Sequence, residues 1–488
     1  MAIEELSQLR VLVIHNCSRD KPDIRLPDKI KIAGSLLATW KPANLQTLDL
    51  ENCGIGDEGA VALSAALVKM SSLQYLNLER NGVGVAGVAS LSRALESMSS
   101  LQQLCLGCNN IGAEGVGFLC EALVRIPSLQ SLSLGSNGIG DEGAASLSRV
   151  LARMSSLEVL KLKSNNICAF GMGKLSEALA KLSSLQSLDL GHNSIIGNAV
   201  KASLSVALSS MSSLQHLNLE KNRIGDEGVA SLRAAFARLI SLKSLDLGIN
   251  SIGPKGVASL CVALARMPSL QSLSLGTNSI GNAGAVSLSE VLGKMTSLRH
   301  LHIDRISIGD EGVACLCTAL GTMTSLQTLY LMSNGIGAAG AAYLSEALVR
   351  MSSLESLNLG SNSIDEAGAA SLSAVLASMS SLRSFDLGGN SIGIGGLACL
   401  SPAFARMSSL RDLNLKNNSI GDSGAESLST ALASMSSMLS LNLEKNSIGV
   451  EGAARLCAAL ESMSSLQHVN LEKNSIGDEH REILEKYK

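Results

Sequence analysis

One pattern recurs along almost the entire chain with a 28-residue period. The segments LQSLSLGSNGIGDEGAASLSRVLARMSS (129–156) and LESLNLGSNSIDEAGAASLSAVLASMSS (354–381) show it plainly. Successive repeats begin at Leu45, Leu73, Leu101, Leu129, Leu157, Leu185, Leu214, Leu242, Leu270, Leu298, Leu326, Leu354, Leu382, Leu410, Met438 and Leu466. Every step has the same length, except the one between Leu185 and Leu214, which is a single residue longer. A repeat of this size cannot bury its apolar face alone, so only stacked neighbours can make a core.

Each repeat has the pattern of a short strand followed by a helix. With positions counted from the first leucine of a repeat, the leucines at positions 4 and 6 are two residues apart and share one face of a strand. A Gly-x-x-Gly turn follows, and apolar residues at positions 19 and 23 then form one stripe of a helix. The predicted fold class is therefore α/β. It has 17 strands when the divergent segment LRVLVIHNC (9–17) is counted.

Two polar positions have predictable roles in the turns. Position 9 is asparagine in 14 of the 17 repeats, the exceptions being Cys17, Cys53 and Ile306. We expect each buried amide to bond to the backbone of its own and the next repeat. Aspartates at position 13 stand just after the turn and are suited to capping a helix N-terminus. These are Asp57, Asp141, Asp226, Asp310 and Asp422.

The pattern LxxLxLxxN, with a full helix in each 28-residue period, resembles the ribonuclease-inhibitor-like subtype of leucine-rich repeat proteins. Ribonuclease inhibitor, Ran GTPase-activating protein and the leucine-rich repeat domains of NOD-like receptors belong to this subtype. The resemblance covers nearly the whole chain. It implies a right-handed solenoid shaped as a horseshoe, with a parallel sheet on the concave face and helices on the convex face.

The repeats also define the domain organisation. Residues 1–44 are interpreted as a divergent N-terminal repeat and cap, with a helix from about Asp28 to Thr39 and Trp40 covering the first layer. Residues 45–465 contain the fifteen complete repeats, including the longer one that begins at Leu185. Residues 466–488 hold the last strand and a charged helix that is typical of a terminal cap.

Composition narrows the class of partner and the compartment. The net charge is −3 without long runs of either sign, and no apolar run reaches the length of a membrane span. We therefore expect neither nucleic-acid nor membrane binding, and we expect a monomer. The 11 cysteines are odd in number and follow the repeat, which indicates reduced thiols used as small apolar side chains. With no secretory signal at the start, this predicts a cytoplasmic protein.

Candidate contact residues come from positions 3, 5 and 7, which face away from the core. The repeat at 298–325 departs most from the pattern, because it combines two histidines, an aspartate and an arginine with Ile306. The predicted main patch contains His300, His302, Asp304, Arg305, Tyr330 and Met332, and a second patch contains Tyr75, Glu79 and Arg80. His-x-His-x-Asp spacing could also bind zinc, but the neighbouring strands offer only serine, threonine and tyrosine as further ligands. A polar contact surface without metal is the favoured interpretation.

These features predict a non-enzymatic scaffold that binds a protein or peptide on its concave face, in signalling or innate-type recognition. No cofactor motif or catalytic constellation is visible. Two alternatives remain open: a regulator of a small GTPase, by analogy of fold, and a substrate adaptor for protein degradation. The first lacks an evident arginine in an unusual loop, and the second lacks an evident F-box-like segment in residues 1–44.

Overall fold

The structure, a computed structural model, describes residues 9–14, 44–195 and 198–477, with the side chains of 198–200 excepted. The predicted helix at 28–39, Trp40 and most of the C-terminal cap therefore lie outside the described residues. The chain divides into two compact halves, Met1–Leu245 and Asp246–Lys488. Each half is described by itself.

The N-terminal half alternates short strands with helices of about three turns. Its strands are β1 (Val11–Val13), β2 (Thr47–Asp49), β3 (Tyr75–Asn77), β4 (Gln103–Cys105), β5 (Ser131–Ser133), β6 (Val159–Lys161), β7 (Ser187–Asp189) and β8 (His216–Asn218). Its helices are α1 (Gly56–Leu67), α2 (Val85–Leu95), α3 (Gly112–Leu123), α4 (Gly140–Leu151), α5 (Ala169–Leu179), α6 (Asn198–Ser209) and α7 (Gly225–Phe236). Strands β1 to β8 pair in chain order, in parallel, and in register from repeat to repeat.

The C-terminal half repeats this arrangement. Strand β9 (Ser244–Asp246) spans the boundary between the halves, and β10 (Ser272–Ser274), β11 (His300–His302), β12 (Thr328–Tyr330), β13 (Ser356–Asn358), β14 (Ser384–Asp386), β15 (Asp412–Asn414), β16 (Ser440–Asn442) and β17 (His468–Asn470) follow. The helices are α8 (Pro254–Leu264), α9 (Gly281–Leu292), α10 (Gly309–Leu320), α11 (Ala338–Leu348), α12 (Glu366–Leu376), α13 (Gly393–Phe404), α14 (Gly421–Leu432) and α15 (Val450–Leu460). Strands β10 to β17 also pair in parallel and in chain order.

The core lies between the strands and the helices, as the leucine pattern predicts. Leu132 and Leu134, at positions 4 and 6, are fully buried, and so are Leu147 and Leu151 at positions 19 and 23 of the same repeat. Each repeat thus buries its leucines against its neighbours, which contributes roughly 2 kcal/mol for each side chain. The predicted α/β repeat architecture, with parallel strands and helices in separate layers, is confirmed within each half. None of the described helices is long and apolar enough to cross a membrane.

Within each half, the asparagines at position 9 form a ladder of hydrogen bonds in the turns, and Asn109 is representative. Its Oδ1 accepts from the backbone N–H groups of Asn81 and Val83, at 3.1 and 3.0 Å. Its Nδ2 donates to the carbonyl oxygens of Leu78, at 2.9 Å, and Leu106, at 3.0 Å. The bonds between repeats therefore run to the preceding repeat. The expectation of bonds to the next repeat was wrong in direction, because the turn of the preceding repeat lies over each amide.

Aspartates at position 13 cap helices, but they do so across the repeat boundary. Helix α2 begins after Gly84, and Asp57 of the preceding repeat accepts from the N–H groups of Gly84, at 2.6 Å, and Gly87, at 3.0 Å. Helices α5, α11 and α15 receive the same cap from the preceding repeat. Helix α12 is capped instead by its own Asp365, which accepts from Gly368.

These caps change the backbone at position 12. Where the preceding repeat supplies the aspartate, position 12 is extended, with φ of −102° at Cys168 and −103° at Gly337. Most of the other described helices begin one residue earlier, at a glycine in the left-handed region, as at Gly140 with φ of 62°. Side chains occupy position 12 at Cys168 and Asp365, where the extended backbone accommodates them.

Asp57→Ala tests the cap between repeats. Loss of the carboxylate leaves the first N–H groups of α2 without their acceptor, so we expect the free energy of unfolding to fall by about 1 kcal/mol. Urea unfolding of the full chain measures the change, and hydrogen exchange at Gly84 and Gly87 locates it. Glu58→Ala is the matched control, because Glu58 is an exposed acid in the same turn. Equal effects of the two substitutions would contradict capping by Asp57.

Candidate functional site

The predicted contact residues lie on the open face of the sheet, which we define as the side chains at positions 3, 5 and 7 of each repeat. Position 4 points into the core, so the alternating residues on either side of it point the other way. The side chains of His300, His302 and Tyr330 on this face are half-buried. Adjacent strands place equivalent positions side by side, since the strands pair in exact register.

Most acidic and amide side chains at position 5 are bonded to their own backbone. In ten described repeats, Oδ1 of an aspartate or asparagine accepts the N–H two residues further on, at 2.8–3.1 Å. The ten residues are Asp49, Asn77, Asp189, Asn218, Asp246, Asn358, Asp386, Asn414, Asn442 and Asn470. Such local bonds end each strand in a turn. These polar side chains of the open face therefore have a structural role.

His302 and Tyr330 form an aromatic stack at the centre of the predicted main patch. Strand pairing places them opposite each other, and their rings stack with centroids 4.6 Å apart and planes 19° apart. His300 Nδ1 lies 3.1 Å from Thr328 Oγ1 on the neighbouring strand. Burial lowers the pKa of His302, which favours the neutral ring at physiological pH. The stack is thus a half-buried, largely apolar platform on an otherwise polar face.

Asp304 and Met332 occupy position 7 beside the stack. Tyr330 cannot bond to the N–H of Met332 as an asparagine at position 5 would, and Asp304 Oδ1 accepts that N–H instead, at 3.0 Å. Burial raises the pKa of Asp304. Asp304 therefore stabilises the turn as well as bordering the stack. Arg305, at position 8, is exposed and has a left-handed backbone with φ of 52°.

The residues of the second predicted patch are turned to different partners. Glu79 Oε1 accepts a hydrogen bond from Ser133 Oγ, at 2.7 Å, two strands away. Arg80 Nε lies 3.8 Å from Glu51 Oε1, on the other side. Burial raises the pKa of Tyr75 to about 12. Tyr75, Glu79 and Arg80 share one repeat, but Glu79 and Arg80 contact different neighbouring repeats.

The asparagine ladder is interrupted directly beneath the main patch. Ile306, at position 9, is fully buried, and its N–H still donates to Asn334 Oδ1, at 3.0 Å. Among the described residues, however, no side-chain oxygen accepts from the N–H groups of Asn278 and Ile280, which an asparagine at 306 would serve. At Cys53, the other departure among the described residues, Sγ partly replaces the amide by donating to Ile14 O, at 3.2 Å. The isoleucine has no such ability.

Glycines at position 7 open notches in the face, and the sequence analysis did not predict a cavity at them. Gly360 and Gly388, on neighbouring repeats, border a cavity of about 270 Å³ that we call the Gly360–Gly388 notch. Met332 and Lys416 stand on either side of it, at the same repeat position. Asp386, Asn414 and Lys445 also line it. The signal in the sequence was two consecutive repeats with glycine at position 7.

Two clusters of charge also lie on this face. In the N-terminal half, Lys163 Nζ reaches Glu220 Oε2 at 3.0 Å, and His192 Nε2 lies 3.1 Å from the same oxygen. In the C-terminal half, Glu444 is 7 % exposed and is bound by the ammonium groups of Lys416 and Lys473, each at 2.6 Å. The nearly buried carboxylate of Glu444 is thus shared by two ammonium groups.

Among the described side chains, few groups are suited to binding a metal ion or acting as a nucleophile. No three His, Cys, Asp or Glu residues in the described ranges are grouped so as to hold a metal ion. Burial raises the pKa of Cys105 to about 11 and that of Cys261 to about 12, so at neutral pH both thiols are overwhelmingly protonated. All ten described cysteines are free thiols.

Comparisons with known proteins agree with this geometry at the level of fold. A family model described as "Leucine Rich repeat" matches 13 segments that together cover more than half of the chain, at residues 41–64, 69–92, 97–120, 125–148, 181–199, 210–232, 238–261, 266–289, 294–317, 322–345, 350–373, 406–429 and 434–457. The chain therefore belongs to the leucine-rich repeat family. No curated protein sequence matches it.

Solved structures add similarity of fold alone. The leucine-rich repeat protein LIC12759 of Leptospira interrogans is 19% identical, with a TM-score of 0.52 over 90% of this chain and 98% of that one. An internalin, inlF, of Listeria monocytogenes is 24% identical, with a TM-score of 0.43 over 77% of this chain and 83% of that one.

Ile306→Asn tests the interruption of the ladder. The new amide gains acceptors and serves the N–H groups of Asn278 and Ile280, while burial of the isoleucine is lost. We expect a net rise of about 1 kcal/mol in the free energy of unfolding, with slower hydrogen exchange at both amides. Asn334→Ile is the matched reverse substitution, and it should destabilise by about 3 kcal/mol. A destabilising Ile306→Asn would show that the ladder does not need an amide here.

The ion pairs of Glu444 predict a pH dependence. Hydrogen bonds from Lys416 and then Lys473 lower the pKa of Glu444 to about 2. A depressed carboxyl pKa stabilises the folded state above the unfolded pKa of about 4.3, and this contribution is lost as the pH falls towards 2. We expect thermal unfolding scans to show a shallower loss of stability between pH 4.5 and 2 in Glu444→Gln than in the wild type. Identical profiles would contradict the assignment.

Proposed function

We propose that the protein is a non-enzymatic scaffold that binds a protein or peptide partner on the open face of its sheet, in signalling or innate-type recognition. The observation that carries the proposal is the His302–Tyr330 stack, which sets a half-buried aromatic platform among polar neighbours. Aromatic side chains of this kind dominate the energetics of protein interfaces. Leucine-rich repeat proteins generally mediate such interactions.

The contact patch we propose combines His300, His302, Asp304, Tyr330 and Met332. Arg305 stands at its exposed edge, and Tyr75, Glu79 and Arg80 are proposed as a secondary contact. Ile306 supports the choice, because its repeat departs from the ladder at a cost in unpaired N–H groups. Departures of this kind concentrate where function competes with stability.

Several finer assignments are part of the same proposal. The 28-residue period with a helix in each repeat supports the ribonuclease-inhibitor-like subtype. We further propose a cytoplasmic monomer, on the grounds of the free thiols among the described residues and the lack of long runs of one charge in the sequence. The domain organisation proposed is an N-terminal cap at 1–44, repeats at 45–465 and a C-terminal cap at 466–488. Two alternatives remain: a regulator of a small GTPase and a substrate adaptor for protein degradation. No observed feature favours either.

The double substitution His302→Ser with Tyr330→Ser tests the proposed patch. Loss of the stack removes the aromatic contact area, so we expect a purified partner to bind about tenfold more weakly, or worse. The partner is first captured from a lysate of the source organism and identified by mass spectrometry. Its dissociation constant is then measured by calorimetry against each variant. A captured GTPase would also be assayed for GTP hydrolysis with and without the protein.

Tyr343→Ser is the matched control, because this tyrosine is 44% exposed on helix α11, in the helix layer. We expect it to leave the dissociation constant unchanged. Tyr75→Ser reports on the secondary contact. A partner that binds the double variant as tightly as the wild type, and loses affinity with Tyr343→Ser, would place the interface on the helices and overturn the proposal.

A further inference from the structure

The chain itself shows how glycine notches on the open face are filled. In the N-terminal half, the carboxylate of Glu79 reaches Ser133 Oγ across Gly107, and its Oε1 is 2.9 Å from where a Cβ on Gly107 would stand. In the same half, the side chain of Lys163 crosses the repeat of Gly191 to reach Glu220. Each of these notches therefore holds the charged end of a long side chain from an earlier repeat.

The position-5 residues beside the two notches differ with the side chain that fills each one. Glu79 bonds to a serine, whereas the ammonium of Lys163 lies near Asp189. Burial raises the pKa of Asp189, and the positive charge of Lys163 opposes that rise. The Gly191 notch consists of Asp189, Gly191 and, on the next strand, Asn218, whose amide is 3.1 Å from where a Cβ on Gly191 would stand.

The Gly360–Gly388 notch has the same construction without the filling side chain. Asp386, Gly388 and Asn414 correspond to Asp189, Gly191 and Asn218, but the residue in the place of Lys163 is Gly360. The cavity of about 270 Å³ is what this glycine leaves.

Oxygen atoms surround the floor of this notch. Asp386 Oδ1, at 3.1 Å, and Asn358 Oδ1 and Gly388 O, each at 3.2 Å, lie closest to where a Cβ on Gly360 would stand. The backbone N–H groups at the notch already have acceptors, whereas Asn414 Nδ2 lies beside Gly388, 2.9 Å from where a Cβ on Gly388 would stand. Gly360 and Gly388 donate to position-5 side chains, and Ser361 donates to Gly388 O at 2.6 Å.

The charges around the notch also favour a cation. Lys416 is bound to Glu444, and among the described residues Asp386 takes part in no ion pair. Lys445, on the rim, is exposed and opposes a cation more weakly, through solvent. Met332 forms an apolar side of the cavity, against which an aliphatic chain can pack.

We infer that the Gly360–Gly388 notch receives the ε-ammonium group of a lysine side chain of the partner, an inference that rests on the proposed function. The lysine takes the place that Lys163 has in the N-terminal half. Its compact ammonium offers three donors to oxygens of the floor, and its methylene chain packs on Met332. The notch thus adds a position that selects for lysine beside the His302–Tyr330 stack.

Nuclear magnetic resonance of the full chain with ¹³C-methyl methionine tests this directly, because Met332 lines the notch. Its signal is assigned with Met332→Leu. We expect Nα-acetyl-lysine methylamide to shift the Met332 methyl signal saturably. The Nε-acetylated form, which has the same chain without the charge, should bind at least about fivefold more weakly. Nα-acetyl-glutamate methylamide should give no saturable shift.

Variants test the charge of Asp386 and the open volume at Gly360 separately. Asp386→Asn and Gly360→Ala should each raise the dissociation constant of the lysine probe at least about fivefold, because one removes the charge and the other fills the floor. Gly135→Ala, the same change at position 7 in the other half, is the matched control and should have no effect. Lys445→Ser should tighten binding of the lysine probe.

The outcomes show whether the notch binds a positively or a negatively charged ligand. Equal binding of the two lysine probes, saturable binding of the glutamate probe, or weaker lysine binding in Lys445→Ser would overturn the inference. None of these results bears on the contact made by His302 and Tyr330, which the partner measurements test separately. Loss of partner binding in the His302 and Tyr330 double variant, with no response of Met332 to lysine, would retain the scaffold and reject the lysine site.

Discussion

The asparagine ladder is the interaction on which the rest of each half depends. The short strands supply few bonds between neighbours, and the turns that follow them would bury unpaired N–H and carbonyl groups. A single amide such as that of Asn109 satisfies four of these groups and joins two repeats. Because the ladder keeps successive turns in register, it also aligns the leucines of the core and the side chains of the open face. Leucine burial provides most of the stabilisation, while the amides determine where each repeat lies on the next.

The repeat made the fold predictable from the sequence, because residues at equivalent positions of successive repeats lie on the same face. Leu132 and Leu134 had to be buried, and His302 and Tyr330 had to be neighbours, once the strands were placed in register. Contacts between repeats were harder to predict. The direction of the amide bonds and the caps given by Asp57 depend on residues 26 to 31 positions apart. How such residues are placed relative to one another in neighbouring repeats cannot be read from the sequence. The stacking of the two rings and the depth of the notch depend on side-chain conformations that the pattern leaves open.

On the open face, some side chains are bonded within the chain and others remain available for contact. Side chains at position 5 hold the strand ends, and Glu79 and Lys163 fill notches of their own half, so much of the polar surface is already bonded within the chain. Two features of the C-terminal half lack this internal bonding. The His302–Tyr330 stack replaces local bonding by an aromatic surface, and the Gly360–Gly388 notch has no side chain of the chain across it. Both lie within a few strands of Ile306, where the ladder is interrupted.

The capping of helices by aspartates of the preceding repeat has a consequence for how such a chain can change in length. A helix such as α5 is specified partly by its own repeat and partly by the repeat before it, since Cys168 needs the extended backbone that Asp141 stabilises. Duplicating or deleting one repeat would separate such a pair and leave a side chain where the left-handed turn favours glycine. The smallest segment that can be inserted or removed without strain at these sites is therefore a pair of repeats. The order of the repeats matters, because a repeat such as that of Cys168 must follow one that supplies the capping aspartate.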